Sequence, residues 1–124
     1  MTLPLALIIE DDRRSAHIFS VSLERADFET EIIREGKAAM ERLNGVVPEL
    51  IVLDLHLPEV SGKEILHRIR SDERFAQTHI ILATADGALA ESLEAEVDLV
   101  LLKPISANQL RDLAARLNLP SARK

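Results

Sequence analysis

The sequence predicts an α/β fold: a doubly wound parallel sheet of five strands with about five helices around it. Three observations lead there. Apolar runs of strand length alternate with amphipathic stretches of helix length, which is the pattern of successive βα units. The run Leu50-Ile51-Val52-Leu53 is apolar at every position, as suits a strand covered on both faces. Hydrophobic residues make up 47% of the chain and aromatic ones only 2%, so the core is built from the aliphatic side chains that parallel strands favour. With 124 residues the chain fits a single domain spanning 1–124.

The first strand is read at Leu5 to Ile9, followed by a helix from about Arg14 to Ala26 with Ile18, Phe19 and Leu23 inward. Strand two, Glu29 to Ile33, is interrupted by polar residues and is therefore placed at an edge. A helix from about Lys37 to Leu43 is closed by Asn44-Gly45, a pair that suits a left-handed cap. Strand three is Leu50 to Leu53, and helix three runs from about Lys63 to Arg70 with Ile65, Leu66 and Ile69 on one face. Strand four is His79 to Ala83, helix four about Ala88 to Ala95, and strand five Leu99 to Leu102. Ser106 and Gln109 form a capping-box pattern opening a last helix that carries Leu110, Leu113 and Leu117 inward. Pro120 to Lys124 reads as a frayed tail, and no linker or output domain is expected within the chain.

Composition excludes several functions. A net charge of −6 argues against a chain that grips nucleic acid, which needs clustered Lys and Arg. The absence of Cys excludes disulfide and thiolate chemistry and fits a reducing cytoplasm. Glu10-Asp11-Asp12 interrupts the N-terminal apolar run before it reaches signal-peptide length, and no run is long enough to span a membrane.

In a parallel sheet the ends of all strands lie on one edge, so residues far apart in sequence converge there. Here the strands end in Glu10-Asp11-Asp12, Asp54, Thr84 and Lys103, the last followed by Pro104. Clustered carboxylates repel unless a cation sits among them, and oxygen ligands without His or Cys at metal spacing favour Mg²⁺ or Mn²⁺. A carboxylate can also act as nucleophile toward phosphorus. Asp54, alone at the end of a central strand, is the best placed. Taken singly each residue has a plainer reading: Asp12 as a favourable charge at a helix start, Thr84 as a strand-end hydroxyl, Lys103 as a surface lysine. Convergence is what overturns those readings.

The stretches Leu7-Ile8-Ile9-Glu10-Asp11-Asp12, Ile51-Val52-Leu53-Asp54-Leu55-His56-Leu57-Pro58 with Gly62, Ile81-Leu82-Ala83-Thr84-Ala85, and Leu101-Leu102-Lys103-Pro104 together resemble the receiver domain of two-component response regulators, the CheY-like superfamily with a flavodoxin-like fold. The resemblance covers essentially the whole chain. It implies that Asp54 is the phosphoacceptor, taking a phosphoryl group from the phosphohistidine of a sensor histidine kinase or phosphotransfer protein. It implies Mg²⁺ held by Asp11, Asp54 and the main-chain carbonyl of His56, with Glu10 acting through a water. Thr84 is then the switch hydroxyl, Ala85 its neighbour in the phosphoryl-binding set, and Lys103 the partner of the phosphoryl. The Lys103-Pro104 bond is expected to be cis. A cytoplasmic protein is implied, a monomer or weak homodimer signalling to an unidentified downstream protein, with self-phosphorylation and self-dephosphorylation as its only turnover.

His56 and Asp86 are the positions expected to set the aspartyl-phosphate lifetime, whereas His17, His67 and His79 show no metal spacing and no partner. Two features depart from the family. Val100 stands where an aromatic switch residue is common, and the nineteen-residue interval from Thr84 to Lys103 is short, so helix four is expected to be truncated. Both fall on the face of helix four, strand five and helix five, the family's usual output and dimer surface, where Leu101 is expected to add apolar area. Chemistry is expected to be intact and aromatic signalling altered. Competing readings are a pseudo-receiver that only binds protein, an aspartyl-nucleophile phosphatase, and a flavin-binding domain. Retention of the acidic pair, Asp54, Thr84 and Lys103 opposes the first. His56, standing where such a phosphatase needs a second Asp, opposes the second, and an acidic first turn opposes the third.

Overall fold

In the computed structural model, which describes residues 2–112, β1 (Leu5–Ile9), β2 (Glu29–Ile33), β3 (Leu50–Leu53), β4 (His79–Thr84) and β5 (Leu99–Leu102) pair in parallel in the order β2-β1-β3-β4-β5. Chain direction across the sheet reverses between β1 and β3, which opens a crevice at the strand ends there. The register aligns Ile9 with Leu53, Leu53 with Leu82, and Leu82 with Val100. Consequently the residues that follow these strands emerge side by side.

The helices are α1 (Arg13–Glu24), α2 (Gly36–Leu43), α3 (Gly62–Arg70) and α4 (Gly87–Ser92), with a fifth, α5, described over 107–112. Each of four starts on a side chain that satisfies a first-turn N–H. Asp12 accepts from Ser15 N at 2.9 Å, Ser61 from Glu64 N at 3.3 Å, Asp86 from Leu89 N at 3.0 Å and Ser106 from Gln109 N at 3.1 Å. The sheet separates two apolar layers by strand alternation. Leu7, Ile9, Ile51, Leu53, Ile80 and Leu82 pack with Ala39, Leu43, Ile65, Leu66 and Ile69 of α2 and α3. Ala6, Ile8, Leu50, Val52, Ile81 and Ala83 pack with Ala16, Phe19 and Leu23 of α1 and with Leu110. Burial of each large aliphatic contributes on the order of 2 kcal/mol.

Several expectations are corrected. Ile18 is half-buried and borders the α1 layer, because Ala16, Phe19 and Leu23 hold the inward stripe. Asn44-Gly45 is not a left-handed cap: Asn44 has φ −69° and no described glycine has positive φ. Instead Asn44 N donates to Glu41 O at 3.1 Å and Gly45 N to Arg42 O at 3.0 Å, a tightened last turn that satisfies the same carbonyls. Left-handed backbone occurs instead at Asp27, φ 68°, after α1, and at Glu59, φ 66°, before α3. β4 runs one residue further than read, to Thr84, while α4 stops at Ser92 and is followed by a 3₁₀ turn at Glu94–Glu96. On β5 it is Leu102, 55% exposed, that faces outward, whereas alternation turns Leu101 into the α1 layer. Leu113, Leu117 and the tail Pro120 to Lys124 lie outside the described residues.

Gly62 opens α3 where a side chain has no room. A Cβ there would run into the Asp54 carbonyl oxygen and Leu55 Cα, so α3 begins directly against the end of β3.

Candidate functional site

The last rungs of the ladder fix the main chain of the site. Glu10 N donates to Ile33 O at 3.0 Å, Asp54 N to Ile9 O at 3.0 Å, and Lys103 N to Thr84 O at 2.9 Å. The Lys103-Pro104 bond is cis. From these anchors the side chains meet: Lys103 Nζ donates to Glu10 Oε1 at 2.7 Å and to Asp54 Oδ2 at 3.1 Å. Asp54 Oδ1 accepts from His56 N at 3.2 Å, and Glu10 Oε2 from Asp12 N at 3.2 Å. Glu10 and Asp54 are 1% and 7% exposed, while Asp11 is exposed at the rim. One carboxylate oxygen from each of Glu10, Asp11 and Asp54 lies within 4.8 Å of the others, a spacing that fits a hard divalent cation.

Three carboxylates facing one ammonium leave the cluster short of positive charge, and the protonation equilibria show it. Burial pushes the Glu10 carboxyl up to about 7; the hydrogen bond from Lys103 opposes this, and the neighbouring Asp54 adds to it. Burial works against the Lys103 ammonium, yet the hydrogen bonds and charges of Glu10 and Asp54 outweigh it and raise its pKa. Both shifts favour the more positive state of the cluster. A bound cation relieves the same imbalance.

Thr84 is fully buried, and its Oγ1 accepts from Asp86 N at 3.2 Å, which leaves the hydroxyl proton to be donated elsewhere. Ala85 beside it is exposed. Asp86 also caps α4 and places Oδ2 3.3 Å from His56 Nε2. The two positions expected to set the aspartyl-phosphate lifetime are therefore in contact with each other. Each stands two residues after a strand-end group, His56 after Asp54 and Asp86 after Thr84, and that matched offset on one edge is the signal in the sequence. Asp12 caps α1, with hydrogen bonds from Ser15 holding its carboxyl below the usual range.

One expectation about the histidines is overturned. His79 Nδ1 lies 3.5 Å from Asp98 Oδ1, at the opposite edge of the sheet. Asp98 Oδ2 accepts from Ile80 N at 2.7 Å and pairs with Arg70 at 3.5 Å, while Arg70 Nε donates to Glu96 O at 2.7 Å. Neither Arg70 nor Asp98 stands out in the sequence, because their contacts join α3, β4 and the approach to β5. Val100 is half-buried against the α2–α3 layer together with Leu89 and Val97.

Comparison with known proteins agrees with this geometry. The family model for the response regulator receiver domain matches residues 6–115. The chain is 31% identical over 111 residues to the DNA-binding dual master transcriptional regulator RpaA of Synechocystis, a match covering 87% of this chain and 46% of that protein. It is 33% identical over 109 residues to the autoinducer 2 sensor kinase/phosphatase LuxQ of Vibrio harveyi, covering 86% of this chain and 13% of that one. The chain thus spans half or less of the length of these two relatives. Among solved structures, the signal receiver domain of a Luxo repressor protein from Vibrio parahaemolyticus superposes with a TM-score of 0.83 at 29% identity, over 98% of both chains. Among the described residues no helix is long and apolar enough to cross a membrane.

Proposed function

From the premise that the chain belongs to the response regulator receiver domain family, we propose that it accepts a phosphoryl group on Asp54 from the phosphohistidine of a sensor kinase or phosphotransfer protein and signals by protein contact. The observation that carries this reading is the bridge from Lys103 Nζ to Glu10 and Asp54, with Asp11 completing the carboxylate cluster. An Asp54 carboxylate oxygen attacks phosphorus in line, the P–N bond to the donor imidazole breaks, and its electron pair stays on the imidazole nitrogen.

Asp11, Asp54 and the main-chain carbonyl of His56, with Glu10 through a water, would hold Mg²⁺ or Mn²⁺, which supplies positive charge to the phosphoryl oxygens. Lys103 transfers its contact from the Asp54 carboxylate to a phosphoryl oxygen, and the Thr84 hydroxyl donates to another. Glu10 keeps Lys103 aimed throughout. Ala85 leaves the phosphoryl side uncluttered. Water attack on the acyl phosphate reverses the modification, and the His56–Asp86 pair sets how readily water reaches it. Asp86 N–H on Thr84 Oγ1 ties this hydroxyl to the start of α4, giving a signal route that does not need an aromatic ring at Val100. We place this single receiver domain in the cytoplasm, as a monomer or weak homodimer facing protein partners rather than nucleic acid.

Incubation with acetyl phosphate and Mg²⁺ followed by intact mass measurement tests the reading. The wild type should gain one phosphoryl group and Asp54→Ala none; an adduct that persists in Asp54→Ala, or none in wild type at millimolar metal, overturns it. A beryllofluoride adduct should form under the same metal dependence.

A further inference from the structure

Among the asparagines of the sequence, Asn44, Asn108 and Asn118, only Asn44 precedes a glycine. That pairing has a chemistry of its own. With no Cβ on the following residue, the glycine amide nitrogen can approach the asparagine side-chain carbonyl carbon and close a five-membered ring. Asn44 and Gly45 are both exposed at the end of α2, so water reaches them. The fold nevertheless holds the reacting atoms apart. Asn44 keeps helical backbone, φ −69° and ψ −25°, whereas ring closure needs its peptide turned well away from helical ψ. Gly45 N donates to Arg42 O at 3.0 Å, and Arg68 Nη2 donates to Asn44 Oδ1 at 3.2 Å. Arg74 clamps the same turn, with Nη1 on Asn44 O at 3.3 Å and Nη2 on Leu43 O at 3.1 Å. Nucleophile, electrophile and the main chain between them are all pinned.

We propose that Asn44-Gly45 is a site of slow self-modification, where the chain loses ammonia at a rate set by how often the clasp of Arg68 and Arg74 opens. Solvent base removes the Gly45 amide proton, and the nitrogen attacks Asn44 Cγ. The new N–Cγ bond forms, the bond from Cγ to the carboxamide nitrogen breaks, and that nitrogen leaves as ammonia with a proton taken from water. Water then opens the succinimide ring at one of its two carbonyls. One opening leaves an aspartate at position 44, and the other an isoaspartate whose main chain is one carbon longer. The reaction passes through local opening of the last turn of α2, not through unfolding of the domain. The aspartate product keeps the turn, since its carboxylate stands beside Arg68 and Arg74. The longer main chain of the isoaspartate cannot repeat that turn, and it loosens the joint.

The test holds the folded chain at mildly alkaline pH for days and follows by mass the tryptic peptide from Leu43 to Lys63, in which Asn44 is the sole side-chain amide. A sample taken at the start is digested alongside. The mass increase of amide-to-carboxylate conversion is expected in the wild type, more slowly than in a synthetic peptide of residues 41–48. Loss of two hydrogen bonds in Arg74→Met should speed it about tenfold, and loss of one in Arg68→Met about threefold. Val52→Ala, a core change that lowers stability with the clasp intact, should leave the rate within about twofold of wild type. Asn44→Gln should abolish conversion. Gly45→Ala should slow it severalfold with the fold kept, because a Cβ there meets nothing closer than Arg42 O at 3.8 Å. The proposal is overturned if the wild type shows no conversion while the synthetic peptide converts completely, or if Arg74→Met converts no faster than wild type. A Val52→Ala rate matching that of Arg74→Met would route the reaction through unfolding of the domain and also overturn it.

Discussion

Replacing Arg74 by Met should loosen the joint between α2 and the turn after α3. The Arg74 guanidinium donates to Leu43 O at 3.1 Å and Asn44 O at 3.3 Å, carbonyls at the end of α2 that have no partner within the helix. It lies 4.7 Å from the centroid of the Phe75 ring and pairs with Asp72 at 3.0 Å. Because its side chain is 44% exposed, each hydrogen bond is taken at about 0.5–1 kcal/mol, the low end of the range. A cation at a helix C-terminus contributes about 0.3–0.5 kcal/mol, the ring contact about 0.5 kcal/mol, and the solvated ion pair little. Met keeps the apolar stem and removes only the head. The expected loss is about 2 kcal/mol, or roughly 6–9 °C in Tm for a domain of this size. Urea unfolding at constant slope measures it. Arg74→Lys should recover no more than about half, since the ammonium keeps the charge without the two-pronged geometry. A loss below about 0.5 kcal/mol in Arg74→Met, or wild-type stability in Arg74→Lys, would refute the reasoning.

Three further outcomes are expected. The Asp72 carboxyl is held below its ordinary value of 3.8 by hydrogen bonds from Arg74; a depressed folded-state pKa gives stability that is present above the unfolded value and lost as pH falls through the folded one. The difference in urea midpoint between wild type and Asp72→Asn should therefore be full at neutral pH and shrink below about pH 4, and a difference that grows toward acid contradicts this. Gly62→Ala pushes a methyl into the main chain of Asp54 and Leu55, and should lower stability by about 2–4 kcal/mol while displacing Asp54, so an unchanged midpoint with full phosphorylation tells against the close approach. His56→Ala and Asp86→Ala should each alter the aspartyl-phosphate lifetime, and because the two side chains touch the double variant should change it less than the product of the single effects. Strictly multiplicative effects would show that they act apart.

The order of elements was legible because it is written locally. Four aliphatics in a row at Leu50 to Leu53 admit little but a strand covered on both sides, and Ser106 announces the helix it caps. The carboxylates and Lys103 were legible for a different reason: parallel pairing maps chain position onto one edge without knowledge of side-chain detail. What stayed hidden depends on packing. Leu101 and Leu102 are equally apolar, and only their alternation about β5 decides which one is wetted. Asn44-Gly45 carries a left-handed signal that a 3₁₀ turn and the Arg74 clasp make unnecessary. The pairs His56–Asp86 and His79–Asp98 join segments 30 and 19 residues apart, and no short-range pattern records such contacts.

The in-phase register of β1, β3, β4 and β5 makes the site all-or-none. Glu10, Asp54 and Lys103 each follow directly on a strand, and Thr84 closes one. A slip of one residue in any of these strands would carry its group about 3.3 Å along the sheet and turn it to the opposite face. No intermediate placement exists. Length changes inside the strands are therefore barred, and variation in rate or timing has to enter through the segments beyond the strand ends, where His56 and Asp86 stand.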